Sequence, residues 1–276
     1  MLKEFKIAEK VNVIRIGYGG MQLTGKGVWG EPEDRENAKM VLQEAVKAGV
    51  NFIDTADAYG PHTNESLIAD ALYPYPKDLF IATKGGFERP EAGKWVANGT
   101  PEFIQSNIEG SLERLKTDCI DLWQLHRIDP KIPVEETLAP VVEAVKAGKI
   151  KFVGLSEVSI KEIERAEKVI PIVSVQNLYN LGERRWDAEV DYTAKRGIAF
   201  IPWFPLASGP SKLEEKVSEI AKAHNATTAQ IALAWLLKRS ENVLLIPGTK
   251  SLEHLKENMR AGEIELSDEE FEELSK

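Results

Sequence analysis

The chain is poor in cysteine and has no long apolar run. Its single cysteine, Cys119, excludes an intramolecular disulfide. Because Cys119 lies inside the apolar run DCIDLWQL, we expect a small buried packing residue rather than a nucleophile. No stretch approaches the roughly 18 apolar residues that a membrane span needs. Charges also interrupt the opening MLKEFKIAEK, where a signal peptide needs a continuous apolar core. We therefore expect a cytoplasmic protein.

The chain lacks a net positive charge and has few histidines. The formal net charge is -9 at pH 7, and phosphates and anionic lipids are bound by clustered Lys and Arg, so we expect neither a nucleic-acid nor a membrane partner. Four histidines are present without the spacing of a metal site, so no metal is expected. A small-molecule substrate is the better expectation. The histidines are His62, His126, His224 and His254.

Short apolar runs rich in Val, Ile and Phe alternate with longer stretches of helical spacing, such as 36–49 and 101–116. Because this alternation demands parallel strands with right-handed crossovers, eight such units predict an α/β fold, a closed (β/α)8 TIM barrel forming a single domain over 1–276. A doubly wound open sheet is the alternative, but the first strand ends in GYGGMQLTGKG, which lacks the G-x-G-x-x-G spacing. The predicted strands are 13–19, 50–56, 78–84, 119–126, 150–156, 172–177, 198–204 and 243–248.

Ionisable side chains end three of these strands. Asp54 ends the second and is followed by Tyr59, while Lys84 ends the third and His126 the fourth. Barrel active sites are built at the carboxyl ends of strands, and adjacent strands lie roughly 5 Å apart, so these groups are expected to converge. Each alone has an ordinary role, as a cap, a surface lysine, a packing tyrosine or a structural histidine. The combination of all four favours an active site.

The four side chains suit the protonation of an oxygen that becomes negative when hydride is added to its carbon. A buried Lys84 ammonium needs a counter-charge, which Asp54 can supply. The ammonium is expected to favour the phenolate and so make Tyr59 a better proton donor. His126 can hydrogen-bond the same oxygen and orient it.

The motifs DTADAYG, FIATK and DLWQLH resemble the aldo-keto reductase superfamily. The similarity extends over nearly the whole chain, through GLSE, VQNLYN, WFPLASG and IPGTKSLEHLKENM, and GYGGMQLTGKGVWGEPEDR resembles a bacterial subgroup that includes pyridoxal reductases. This resemblance implies a (β/α)8 barrel that uses NADPH, with Asp54, Tyr59, Lys84 and His126 as the catalytic tetrad and Tyr59 as the general acid.

The resemblance also implies the cofactor contacts. Ser156 and Gln176 match positions that hold the nicotinamide carboxamide, and Trp203 matches an aromatic residue that stacks on the nicotinamide. Where many relatives have Asn, this chain has Glu157, which can accept a hydrogen bond from the carboxamide but cannot donate one. The implied cofactor-binding residues are Gly20, Met21, Ser156, Gln176, Trp203, Leu206, Ser208, Gly248, Thr249, Lys250, His254, Glu257 and Asn258.

The cofactor preference depends on the residues after the eighth strand. Gly248, Thr249 and His254 stand where many relatives carry a Lys-Ser pair and an Arg for the 2′-phosphate. Lys250 and a helix N-terminus can compensate. NADP(H) is therefore expected, with NAD(H) as the alternative.

The loop GGFERPEAGKWVANGT after the third strand is long enough to carry function. Phe87 and Trp95 in this loop, with Trp29 after the first strand, are expected to line a substrate pocket or to pack the loops. The expected activity is reduction of small aldehydes or ketones, with pyridoxal or another small aromatic aldehyde as candidates. A Schiff-base lyase using Lys84 and a non-catalytic NADPH-binding regulatory subunit are the alternatives. A monomer or small homo-oligomer is expected.

Overall fold

The structure is a computed structural model that describes residues 3–206 and 211–276, without the side chains of 211 and 212. A seven-stranded parallel sheet forms its centre, in the order β11-β10-β9-β8-β5-β4-β3. Two antiparallel hairpins, β1-β2 and β6-β7, lie outside this sheet. The strands are β1 Glu4–Ile7, β2 Val11–Ile14, β3 Tyr18–Gly19, β4 Phe52–Asp54, β5 Phe80–Gly85, β6 Phe87–Glu88, β7 Val96–Ala97, β8 Ile120–Leu125, β9 Ile150–Ser156, β10 Ser174–Gln176 and β11 Ala199–Phe200.

The predicted eighth strand closes the sheet on itself. Val243 forms a parallel bridge to Phe200 in β11, and Leu245 forms one to Ile16, next to β3. The backbone N–H of Gly17 donates to the Leu245 carbonyl over 2.8 Å. The sheet is therefore a closed ring, and the predicted (β/α)8 barrel is confirmed.

Ten α-helices in the described residues surround the barrel. The first begins after Asp34, whose side chain accepts from the Asn37 N–H, and the third begins with Pro101, which has no amide hydrogen to leave unpaired. Both agree with the predicted helices to within a turn. The helices are α1 Arg35–Lys47, α2 Thr63–Leu72, α3 Pro101–Arg114, α4 Val134–Lys146, α5 Ile160–Glu167, α6 Asp187–Lys195, α7 Ser211–Ala223, α8 Thr228–Arg239, α9 Leu252–Arg260 and α10 Asp268–Leu274.

Strand alternation gives the barrel two apolar faces. Phe52, Phe80 and Leu122 belong to an inner cluster, whereas Ile53 and Ile81 belong to the outer cluster that packs under the helices. Because side chains alternate with a period of two, polar residues placed two positions after the inner ones also face the barrel axis. This pattern directs the predicted catalytic side chains inward.

The prediction for the first strand is wrong at its start. Residues Val11–Ile14 pair with Glu4–Ile7 in an N-terminal hairpin, and only the chain from Ile16 onward joins the barrel. Ile7 and Val13 are fully buried in the inner cluster, so this hairpin covers one end of the barrel interior.

Two smaller expectations are also corrected. The long loop after the third strand contains the hairpin β6-β7. Cys119 is partly exposed rather than fully buried. Its partial burial still raises the pKa of the thiol, which disfavours the reactive thiolate. Within the described chain, no helix has both the length and the apolar character needed to cross a membrane.

Candidate active site

Lys84 and Asp54 form an ion pair inside the barrel. The Lys84 Nζ lies 2.5 Å from Asp54 Oδ1 and also donates to the Thr55 carbonyl over 2.9 Å, and both charged side chains are almost completely buried. Burial lowers the pKa of Lys84, but Asp54 and Tyr59 outweigh this effect and leave the pKa above its usual value. The ammonium is therefore retained at neutral pH.

The second carboxylate oxygen of Asp54 is held by two amides. Gln176 Nε2 donates to Asp54 Oδ2 over 2.8 Å, and Gln124 Nε2 does so over 3.2 Å. Ser174 in turn donates to Gln124 Oε1 over 3.2 Å. Sequence reasoning missed Gln124, although its place two residues before His126 on an inward-facing strand was a usable signal.

Tyr59 lies beside this pair. Its hydroxyl is 3.3 Å from Lys84 Nζ, and its ring lies 5.0 Å from the same atom. Burial raises the pKa of Tyr59, and the opposing effect of Lys84 does not overcome it. The expected net lowering of this pKa is therefore wrong, and the phenol stays protonated at neutral pH.

The loop that carries Tyr59 is fixed by a buried charge network. Asp57 accepts a hydrogen bond from Arg114 Nη2, while Arg114 Nε donates to Glu65 over 2.7 Å. The Asp57 N–H also donates to the Lys84 carbonyl over 2.9 Å. Asp57 therefore ties the loop to both α3 and β5, two residues before Tyr59.

His126 follows β8 and is buried against aromatic rings. Its ring centroid is 5.9 Å from that of Tyr59 and 4.7 Å from that of Phe87. Burial and the nearby cations Lys84 and Arg127 lower the pKa of His126 well below its usual value. His126 Nδ1 has no hydrogen-bond partner among the described residues. The imidazole is therefore neutral at physiological pH.

These side chains adjoin a cavity of about 550 Å³ at the carboxyl end of the barrel. Lys84 lies beneath the cavity rather than in its wall, since it has no exposed surface. The predicted residues that line it are Met21, Asp54, Tyr59, Phe87, Trp95, His126, Ser156, Gln176, Trp203, Leu206 and Gly248. Predicted residues outside this lining are Gly20, Trp29, Thr249, Lys250, His254, Glu257 and Asn258, and Ser208 lies outside the described residues.

Ser156 and Gln176 offer a complementary donor and acceptor to the cavity. Ser156 Oγ accepts a 3.0 Å hydrogen bond from Arg127, which leaves its hydroxyl proton available. Gln176 uses Nε2 to bind Asp54, which leaves its oxygen available as an acceptor. A primary carboxamide needs one donor and one acceptor, so this pair fits the nicotinamide amide.

Glu157 holds Trp203 in the cavity wall. Its Oε1 accepts from Trp203 Nε1 over 2.7 Å and from the Leu178 N–H, and its Oε2 lies 3.1 Å from Arg185. The carboxylate is thus engaged by protein donors, a role that sequence reasoning missed when it considered Glu157 as a carboxamide contact.

A helix N-terminus follows Gly248. Ser251 caps α9 by accepting from the His254 N–H, and the side chains of Lys250 and His254 are exposed there. A helix N-terminus with an adjacent lysine favours an anion. In contrast, Asn258 on the same helix is buried.

Gly20 and Trp29 have packing roles in the structure. A Cβ atom on Gly20 would lie 2.5 Å from Asn64 Oδ1, so glycine permits this close approach. The Trp29 ring lies 5.4 Å from the guanidinium of Arg89, which itself lies 3.6 Å over the Trp95 ring. Trp29 therefore supports the loop that carries Trp95.

Comparisons with known proteins identify relatives of this chain. The Aldo/keto reductase family matches residues 15–276. The pyridoxine 4-dehydrogenase of Escherichia coli is 44% identical over 264 residues, which cover 94% of this chain and 92% of that protein. This match confirms the predicted resemblance to the bacterial subgroup.

Solved structures agree as well. A thermostable aldo-keto reductase crystallised with the inhibitor epalrestat superposes with a TM-score of 0.87 at 32% identity, covering 100% of this chain and 98% of that one. An aldo-keto reductase from Klebsiella pneumoniae in complex with NADPH superposes with a TM-score of 0.83 at 25% identity. The match covers 99% of this chain and 94% of that one. The predicted oxidoreductase class is confirmed, and the chain belongs to the Aldo/keto reductase family.

Proposed function

We propose that the protein reduces small aldehydes or ketones to alcohols with NADP(H). The observation that carries this proposal is the Tyr59 hydroxyl, in the cavity wall and 3.3 Å from an ammonium that Asp54 holds. Bound NADPH would supply the hydride. The chain supplies the proton and holds the carbonyl in place.

The side chains divide the acid chemistry between them. Tyr59 donates its phenolic proton to the carbonyl oxygen as negative charge develops there. Lys84 stabilises the phenolate that remains, and Asp54 holds the ammonium in position. His126, neutral at physiological pH, hydrogen-bonds the carbonyl oxygen and aligns it with Tyr59.

The cofactor assignment is supported by the donor and acceptor of Ser156 and Gln176 and by the flat ring of Trp203 in the same wall. The Klebsiella pneumoniae neighbour is a complex with NADPH. Lys250 beside the N-terminus of α9 favours an additional phosphate such as the 2′-phosphate, which supports NADP(H) over NAD(H).

The substrate class is inferred from the cavity walls. Phe87 and Trp95 lie with ring centroids 5.4 Å apart and present aromatic surface beside Tyr59. Aromatic walls favour a flat substrate. The Escherichia coli relative bears the name pyridoxine 4-dehydrogenase. Pyridoxal or another small aromatic aldehyde is therefore our candidate.

A Schiff-base lyase would need Lys84 as a neutral amine with access to substrate. Its pKa is instead raised and its side chain is fully buried, so lyase chemistry is disfavoured. A regulatory NADPH-binding subunit would bind the cofactor without turnover.

The test is oxidation of NADPH and of NADH with pyridoxal, methylglyoxal and nitrobenzaldehyde. We expect faster oxidation of NADPH with at least one of them. Borohydride trapping of substrate on Lys84 would identify the lyase, and tight NADPH binding with no turnover would identify the regulatory subunit. The single domain over 1–276, the cytoplasmic location and the monomeric or small homo-oligomeric state stay predictions.

A further inference from the structure

Arg127 is a half-buried cation in the cavity wall. It directly follows His126, and its Nη1 donates to the His126 carbonyl over 2.6 Å and to Ser156 Oγ over 3.0 Å. Across 3–206 and 211–276, its Nε and Nη2 atoms have no hydrogen-bond partner. Part of the guanidinium fork is therefore available to a ligand.

No carboxylate pairs with this guanidinium. Among the described residues, no Asp or Glu oxygen lies within 4.0 Å of it, and the remaining residues 1, 2 and 207–210 include no acidic side chain. Glu157 is the acidic group that acts on Arg127, but its carboxylate is engaged by Trp203, Leu178 and Arg185. Buried charges are normally paired, so this cation lacks the partner that its burial calls for.

The guanidinium lies between two aromatic rings of the cavity wall. Its central carbon is 5.5 Å from the Phe87 ring centroid and 5.9 Å from that of Trp203. With Trp203 covered by the nicotinamide, a flat substrate packed against Phe87 with its carbonyl at Tyr59 would lie beside Arg127. The formal net charge of -9 repels anions at long range, so anion recognition here depends on this local cation.

Resting on the proposed function, we propose that Arg127 binds an anionic group of the substrate, so that the preferred substrates are carbonyl compounds bearing a carboxylate or a phosphate. Arginine suits this role because its planar fork matches both groups and keeps its charge when partly buried. Arg127 is thus a specificity residue, separate from the side chains that donate the proton and stabilise the resulting phenolate.

The first test compares matched substrates on the wild-type enzyme. The 2-, 3- and 4-carboxybenzaldehydes are compared with the corresponding carbamoylbenzaldehydes, which have similar shape and no charge. A comparison of pyridoxal 5′-phosphate with pyridoxal tests whether the anionic group can be a phosphate. We expect kcat/KM of at least one anionic compound to exceed that of its neutral partner by about tenfold or more, mainly through KM.

The second test uses variants of Arg127. Arg127→Gln should bring the anionic-to-neutral ratio of kcat/KM close to one, and Arg127→Lys should keep part of it, because lysine retains the charge without the fork. Lys131→Gln is the control, since Lys131 is an exposed cation in the same loop. The control should keep the wild-type ratio.

Calorimetry separates this proposal from the proposed function. Benzoate and benzamide are titrated into NADP-loaded wild-type, Arg127→Lys and Arg127→Gln protein, so no turnover is needed. Benzoate binding that exceeds benzamide binding and is lost in Arg127→Gln supports the anion site even if no carbonyl is reduced. Equal binding of benzoate and benzamide to the wild-type protein would overturn the proposal. Equal kcat/KM for the matched substrates would overturn it too, as would an unchanged anionic-to-neutral ratio in Arg127→Gln.

Discussion

The indole Nε1 of Trp203 donates a 2.7 Å hydrogen bond to the carboxylate of Glu157. Glu157 has φ 54, in the left-handed region that costs a non-glycine residue roughly 1 kcal/mol or more. The hydrogen bonds of its carboxylate to Trp203, the Leu178 N–H and Arg185 hold this conformation. The turn after β9 therefore fixes the orientation of the ring proposed to stack on the nicotinamide.

Removing this carboxylate should weaken cofactor binding. Glu157→Ala leaves the Trp203 ring without its acceptor, so we expect the Kd for NADPH to rise by about tenfold, the range for one hydrogen bond to a charged group. Glu157→Gln, which keeps an acceptor, should show a smaller rise, and Arg185→Ala should bind nearly as the wild type does. Fluorescence titration measures these values. An unchanged Kd in Glu157→Ala would show that Trp203 needs no such anchor.

The Lys84–Asp54 pair should separate stability from catalysis. Lys84→Met leaves the Asp54 charge buried without its partner, which costs about 3–5 kcal/mol of unfolding free energy. Adding Asp54→Asn removes that charge and should restore much of the stability. Turnover should stay low in the double variant, because no ammonium remains to stabilise the phenolate. Urea unfolding and steady-state rates test both parts, and recovery of turnover would contradict the assigned role of Lys84.

The charge network under Tyr59 makes a prediction for stability. Arg114→Met leaves Asp57 and Glu65 buried beside each other without their shared cation, so we expect a loss of about 3–5 kcal/mol. Arg165→Gln, which breaks an exposed pair with Glu135, serves as the control and should change stability little. Chemical unfolding distinguishes the two. Similar small losses would mean that the network does not hold the loop.

His126 should make stability depend on pH below neutrality. In the unfolded chain its pKa is about 6.5, whereas burial lowers the pKa well below that in the folded protein. Below pH 6.5 the unfolded chain therefore binds a proton that the folded protein does not, and the unfolding free energy falls as pH falls toward the folded pKa.

His126→Gln should remove this contribution, which reaches about 1.4 kcal/mol per pH unit at most. Urea unfolding between pH 5 and 7.5 compares the slopes of the variant and the wild type. Identical slopes would show that His126 is protonated in the folded protein as readily as in the unfolded chain.

The barrel and the approach of Asp54 to Lys84 could be predicted because they depend on local patterns. Alternation within a strand fixes which side chains face inward, so Asp54 and Lys84 followed from their strands. The N-terminal hairpin was missed because its turn, at Ala8 and Glu9, has positive φ values of 50 and 58 without the glycine or asparagine that usually marks such a turn.

Other features depend on tertiary structure. The orientation of Glu157 depends on its positive φ, and the contact of Asp57 with Arg114 joins residues 57 positions apart. Neither has a local signal in the sequence. The pKa of Tyr59 depends on the balance between burial and one neighbouring cation, and the extent of burial emerges only when the barrel is closed.

The role of Tyr59 as proton donor is tested most directly by single-turnover hydride transfer in Tyr59→Phe, measured after loading with NADPH and mixing with an aldehyde that the wild type reduces. Tyr75→Phe, which removes a phenol hydroxyl bonded to the Leu115 carbonyl away from the cavity, is the control. We expect a fall in the rate of about 10²- to 10⁴-fold in Tyr59→Phe, with an unchanged Kd for NADPH. A rate equal to that of Tyr75→Phe and the wild type would contradict it.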